Sequence, residues 1–190
     1  MATLTQLLAT ADGTIGAVIE HDAGTTPPFW SHIDDTAASD SADYVQNDAS
    51  ETDGTAFFAL TNVDADFSSM DTLNIDANLH AINFSDDSCA LSARIFDANS
   101  TTNALTDETG DMAATVGSTK TTRNATFTGL TGTKAQWDTA HIRFTWTYNK
   151  VAQPDNGNLR LFGFDIDGTY TGSQAFAPVA FNHYAKMRNS

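Results

Sequence analysis

LNIDANLHA, residues 73–81, places Leu73, Ile75, Ala77, Leu79 and Ala81 on odd positions with Asn74, Asp76, Asn78 and His80 between them. Successive side chains of a strand point to opposite sides of a sheet, so this alternation makes one apolar face and one polar face. Such a strand covers a core on one side and meets water on the other. Moving outward, Asp86 and Asp87 interrupt the pattern as turn residues, and it resumes with Leu91, Ala93 and Ile95 against Ser92 and Arg94. The two runs read as neighbouring antiparallel strands. Further on, Ile142, Phe144, Trp146 and Tyr148 alternate with His141, Arg143, Thr145 and Thr147, and the turn-rich QPDNGN of residues 153–158 ends that strand. Residues 159–166 form a more continuously apolar strand that changes face near Gly163, where a bulge fits.

Weaker strands are expected at residues 14–19, 43–46, 56–60 and 125–130, with turn signals between them. Helix is scarce: residues 3–11 suit a short one and residues 137–140 a single turn. Residues 100–122 are polar and lack aromatics, which reads as a long loop or a mobile hairpin. The fold class that follows is all-β, a two-sheet antiparallel β-sandwich of jelly-roll type with little helix. At 190 residues the chain has the length of one domain. It divides into an N-terminal segment 1–13 suited to be a docking arm, a sandwich 14–170 and a C-terminal arm 171–190.

Composition excludes several partners. The net charge of -15 comes from 24 acidic against 9 basic residues, so the clustered Lys and Arg that bind a phosphate backbone are missing. The same balance argues against an anionic membrane surface. Only Glu20, Glu51 and Glu108 are glutamates, and the abundance of Asp points to loops and turns. An acidic surface also suits general solubility or a saline habitat. Cys89 has no second cysteine to pair with, and its neighbours mark it as a small buried hydrophobe. No apolar run reaches the length of a membrane span. Residues 1–10 lack the basic start and apolar block of a secretory signal, so signal-directed secretion is not expected.

Catalytic patterns are absent from the sequence. No Gly-x-Ser-x-Gly elbow occurs, and His21, His32, His80, His141 and His183 are scattered without the spacing of a zinc site. Asp165 and Asp167 lie two apart on a strand and share a face, and Asp64 and Asp66 sit in an acidic loop with Asp71. These four are the candidate calcium ligands, although no EF-hand pattern surrounds them and a solvated strand end is the plainer reading of the first pair. No other cofactor is implied. Trp137 and Trp146 have core explanations, and Trp30 after Pro27 and Pro28 plugs an edge of the sandwich, which leaves a sugar-stacking platform as the lesser reading.

One set of segments is more specific than composition. Trp30-Ser31-His32-Ile33-Asp34-Asp35 is followed by an acidic stretch and by Asp43-Tyr44-Val45. A TLNIDA strand (72–77), an LSARIFD strand (91–97), a WDTAHIRFT unit (137–145) and a final hydrophobic strand (159–166) come in that order. The series resembles the jelly-roll structural proteins of tailed bacteriophages, over roughly residues 14 to 168. The terminal strand keeps the family's alternation in Gly163-Phe164-Asp165-Ile166-Asp167 with different residues. The resemblance implies a non-enzymatic virion structural protein, a capsid decoration (cement) subunit or head fibre, located on the virion. Its implied partners are the major capsid or other virion proteins and further copies of itself, with a trimer as one form. Docking would fall to apolar residues of the two ends, Leu4, Leu7 and Leu8 at one and Phe176, Val179, Phe181 and Tyr184 at the other. The alternative from a different class is a carbohydrate-binding or host-adhesion β-sandwich module on a tail or head fibre, with glycan as the partner.

Overall fold

The computed structural model describes residues 1–16, 19–21, 28–33, 43–47, 53–82, 84, 88–98, 101–114, 116–149 and 157–173. The strands are β1 (Ala2–Thr3), β2 (Ala9–Ile15), β3 (Ile19–His21), β4 (Val45–Asn47), β5 (Gly54–Leu60), β6 (Phe67–Ile82), β7 (Ser88–Asp97), β8 (Thr121–Thr126), β9 (Ala140–Asn149) and β10 (Asn158–Gly172). Helix is confined to a 3-10 turn at Trp30–His32 and the short α1 (Lys134–Trp137). The larger sheet has the order β3-β4-β10-β6-β8, with β1 also paired to β10, and the smaller sheet has the order β2-β5-β9-β7. All pairings are antiparallel. From β4 to β10 each strand lies in the opposite sheet from the one before it, which is the wrapping of a jelly roll.

The alternation read from sequence sets the inner faces. Leu73, Ile75, Ala77 and Leu79 of β6 and Leu161, Phe164 and Ile166 of β10 are fully buried against Leu91, Ala93 and Ile95 of β7 and Ile142, Phe144 and Trp146 of β9. Phe144 is the hub: its ring meets Phe164 across the sheets edge-on at 5.1 Å and lies 6.1 Å from Trp146 and 6.3 Å from Phe58. The Trp146 indole N–H is satisfied by the Leu159 carbonyl at 3.0 Å. Trp137 is equally buried, and its N–H donates to the Thr131 carbonyl at 2.9 Å. The register shifts between Leu161 and Gly163, so the bulge falls where the change of face predicts it.

Several expectations need correction. The runs at 73–81 and 91–95 are not neighbours: β6 pairs with β10 and β8, whereas β7 pairs with β9 in the other sheet. Alternation identifies a face and carries no information about which strand lies alongside. Residues 3–11 are not a helix. They end β1, bridge Leu7 to Ile166 and enter β2, so the expected N-terminal arm is part of the sandwich. The weak strand expected at 14–19 is divided between β2 and β3 in different sheets, and that at 125–130 lies earlier, as β8. The turn at Asp86 and Asp87 lies outside the described residues.

The expected loop at 100–122 also has a defined role. Residues 103–112 run along the outer edge of β7, where the smaller sheet would otherwise end. Leu105, Thr109 and Met112 donate their N–H groups to the carbonyls of Ile95, Ala93 and Leu91 at 2.8 to 2.9 Å. The N–H groups of the same three β7 residues are accepted by side chains, Thr106 Oγ1 at 3.1 Å, Thr109 Oγ1 at 2.9 Å and Asp111 Oδ1 at 3.0 Å. An edge strand with open donors and acceptors is a template for aggregation, and this strap closes it. Leu105, Met112 and Ala113 are buried as well, which holds the strap down. Thr109→Val keeps the shape and removes the acceptor for the buried Ala93 N–H. Urea unfolding is expected to show a loss of about 1–3 kcal/mol, and light scattering a gain in aggregation.

Candidate interaction surfaces

The four candidate calcium ligands lie at two separate places. Asp165 and Asp167 sit on the outer face of β10, since Phe164 and Ile166 point into the core. They stand directly opposite Asp76 and Asn74 of β6. The amides between them are engaged: Asn124 Nδ2 donates to Asp76 Oδ1 at 2.8 Å, Asn74 Nδ2 to Asp167 Oδ1 at 3.4 Å, and Thr126 Oγ1 to Asn74 Oδ1 at 2.8 Å. The result is a negatively charged polar ladder across β10, β6 and β8. Among the described residues no three His, Cys, Asp or Glu side chains converge as a metal site.

Asp64 and Asp66 act as clamps on chain segments. Asp64 accepts from the Thr5 backbone N–H at 2.9 Å and from the Thr5 hydroxyl at 2.6 Å. Those two bonds favour the charged carboxylate and hold its pKa below the ordinary value. Asp66 accepts from the Tyr170 hydroxyl at 2.6 Å, and this bond, with burial second, pushes the phenol up to about 12. Both carboxylates therefore secure the N-terminal segment and the end of β10 at one end of the sandwich.

That placement corrects the docking residues. Leu4 and Leu7 are 4% and 0% exposed and belong to the chain's own core, so they are not available to a neighbour. Their N–H groups donate to the carbonyls of Gly168 and Ile166, both at 3.0 Å, which draws the segment onto the edge of β10. Leu8 is half-buried, and its carbonyl accepts from the Thr61 N–H beyond the end of β5. The segment thus ties the two sheets together. Phe176, Val179, Phe181 and Tyr184 lie outside the described residues.

His80 stacks on Phe162, and His141 Nδ1 lies 3.0 Å from the Thr139 carbonyl. His21 and His32 lie in β3 and the 3-10 turn, and His183 is outside the described residues. The 3-10 turn is held to β2 by Asp12, whose carboxylate accepts from the Phe29 and Trp30 N–H groups at 2.8 and 2.6 Å. Trp30 itself is half-buried against the core, in keeping with an edge plug. A cavity of about 470 Å³ opens beside the start of β7, lined by Ala81, Phe84, Cys89, Asp111, Val116 and Leu159 among others. Burial first, then the charges of Asp111 and Asp53, push the Cys89 thiol up to about 12, which leaves it protonated and unreactive at neutral pH.

Side chains from distant segments also gather around Phe162. The bulge in β10 turns Phe162 to the outer face, where polar groups cover it to 4% exposure. Lys120 Nζ lies 4.2 Å from the ring centroid, His80 stacks on the ring, and Tyr44 packs at 5.4 Å. The Arg160 guanidinium lies 4.0 Å over the Tyr44 ring while its Nε donates to Gln46 Oε1 at 2.9 Å. Tyr44, Lys120 and Arg160 are far apart in sequence, and only the pairing of β4 with β10 brings the first and last together. The one available signal was Phe162, an apolar residue at the position where the strand changes face.

Comparison with protein-family models, with curated proteins and with solved structures finds no match to this chain.

The Asp64 clamp gives a pH dependence of known sign. A carboxyl whose pKa is lowered by folding stabilises the fold at pH above its unfolded value, and the effect fades as pH falls through the folded value. Amide exchange at Thr5 is expected to be slow at pH 6 and to accelerate relative to core amides as pH drops below about 4. Asp64→Asn should show the fast Thr5 exchange already at pH 6.

Proposed function

We propose that this protein is a non-enzymatic bacteriophage virion structural protein, a capsid decoration (cement) subunit that binds the outer surface of the particle. Its partners are then the major capsid protein or other virion proteins, and its location is the virion. The sandwich serves as a soluble body and the adhesion is apolar. The reading draws on the ordered series of segments that resembles phage jelly-roll proteins and on the jelly-roll wrapping of the strands.

The observation that carries it is the distribution of large apolar side chains. Among the described residues the fold consumes them: Met1 alone is an exposed large hydrophobe. The sequence 174–190 nevertheless contains Phe176, Val179, Phe181 and Tyr184. With Leu4 and Leu7 committed to the core, attachment falls to this C-terminal stretch. A sugar platform is less well supported, because Trp137 and Trp146 are buried and Trp30 packs against the core.

The test is addition of purified full-length protein to particles assembled without it, with bound copies counted by gel densitometry. Stoichiometric, saturable binding is expected, with at least about a hundredfold weaker binding after deletion of residues 174–190, equivalent to about 2.7 kcal/mol. Circular dichroism of the shortened chain should retain the β signal. Failure to bind particles, together with retention on host polysaccharide after the same deletion, would replace this reading with the glycan-binding one.

A further inference from the structure

The outer face of the smaller sheet carries a compact group of hydrogen-bond donors. Ala93, Ile95, Ile142 and Phe144 are buried in the core, so Ser92, Arg94, Arg143 and Thr145 between them point outward. Arg94 stands directly opposite Arg143, and Ser92 directly opposite Thr145. Two guanidinium groups and two hydroxyls thus mark the corners of one square, with the Cβ atoms of facing residues about 5 Å apart. Both guanidinium groups lie over the Phe96 ring, at 5.5 Å from its centroid for Arg94 and 4.9 Å for Arg143. All four residues are half-buried, so the square is open to solvent.

The fold leaves this group short of acceptors. Facing like charges repel, yet only one carboxylate among the described residues bonds to either arginine. It is Glu108 of the strap, whose Oε1 accepts from Arg143 Nη2 at 3.3 Å and from the Ser92 hydroxyl at 2.7 Å. Arg94 donates through Nε to the Thr106 carbonyl at 2.9 Å, and among the described residues nothing accepts from its Nη groups. Arg143 Nε and Thr145 Oγ1 are buried without a hydrogen-bond partner. Buried polar atoms in that state are costly and uncommon, and these two stand two residues apart on one face.

We infer that Ser92, Arg94, Arg143 and Thr145 form a binding site for a tetrahedral oxyanion, in chemical class a phosphate group. A guanidinium presents paired N–H groups whose spacing matches two oxygens of a phosphate or a carboxylate. Glu108 shows how little of the site a carboxylate satisfies: it meets Arg143 through one long bond and leaves the Nη groups of Arg94 unmet. A phosphate group brings about -1.5 to -2 charge at pH 7 and at least three strong acceptor oxygens. Those suffice to engage Arg94 and Arg143 together and to accept from a hydroxyl. Glu108 is then a resident rival, whose negative charge the ligand has to overcome. The net charge of -15 opposes anions from a distance, but screening limits its reach to about 10 Å at 0.1 M salt. The site includes none of residues 174–190, so it holds or fails independently of how the protein attaches.

Titration of the full chain with inorganic phosphate, at neutral pH and constant ionic strength, tests the site by nitrogen-15 NMR. The Arg94 and Arg143 Nε–H signals and the Ser92 and Thr145 amides are expected to shift saturably, with half-saturation below about 10 mM. Glu108→Gln removes the rival charge and should tighten binding at least about threefold. A purely structural role for the two arginines would not produce that gain. Arg94→Gln keeps a donor for the Thr106 carbonyl and should weaken binding at least about tenfold, with thermal unfolding still cooperative. If that protein fails to fold, Arg143→Lys, which loses the paired N–H groups, takes its place with a loss of at least about threefold. Glycerol phosphate separates the sources of the ligand: binding equal to or tighter than that of the free ion assigns the site to a phosphate ester, and weaker binding to phosphate itself. Signals that do not saturate would overturn the inference. So would shifts that persist unchanged in Arg94→Gln, or a Glu108→Gln protein that binds no more tightly.

Discussion

The pairing of β6 with β10 is the constraint on which the other elements depend. The ladder runs from Asn158 opposite Ile82 to Gly172 opposite Phe67, almost the full length of both strands. It is close-fitting: a side chain at Gly168 would collide with the Thr72 carbonyl, so the backbones there approach as only glycine allows. One side of β10 is taken by β6. The other is shared by β4 at Arg160 and Leu161 and by the N-terminal segment from Ile166 to Tyr170. Inward, Phe164 carries the packing to Phe144 of the second sheet. Buried Asn47 reinforces the join, accepting from the Leu159 N–H at 2.6 Å while Asn158 Nδ2 donates to the Asn47 carbonyl at 2.8 Å.

Two segments without strand rhythm complete the sandwich, and both work through hydrogen bonds at edges. The strap at 103–112 closes β7 with threonine and aspartate oxygens in place of a paired strand. The N-terminal segment fills the gap beside β10 and passes to the smaller sheet at Thr61, with Asp64 fixing it at Thr5. In each case short polar side chains supply the acceptors that a regular ladder would have supplied. This gives the Thr- and Asp-rich composition a structural meaning beyond solubility.

The same distinction explains what could be read in advance. Residues 73–81, 91–95 and 142–148 alternate because each has one wet side, and all became strands with the expected faces. The bulge at Gly163 was legible because an apolar run changes parity there. Pairing was not legible: β6 and β7 follow one another in sequence yet lie in different sheets, since jelly-roll wrapping joins distant strands. The N-terminal leucines misled because Leu4, Leu7 and Leu8 have helical spacing, whereas their burial arises from contact with two different sheets. The strap lacked a signal because its buried residues, Leu105, Thr106, Thr109 and Met112, follow the carbonyls of β7 and no period of their own. Of the candidate sites, the carboxylates at 64 and 66 had visible positions but hidden roles, since their partners Thr5 and Tyr170 are distant in the chain.

The central position of β10 also bears on how the molecule is made. A ribosome delivers the chain from the N-terminus, and residues 158–172 emerge after all the other described strands. Until then β6 has β8 on one side and nothing on the other, and β4 and the N-terminal segment have no sheet to join. The smaller sheet can assemble from β5, β7 and β9 by residue 149, but its apolar face then has half a cover. The larger sheet therefore cannot close until β10 is available, and the smaller sheet waits for its cover until then.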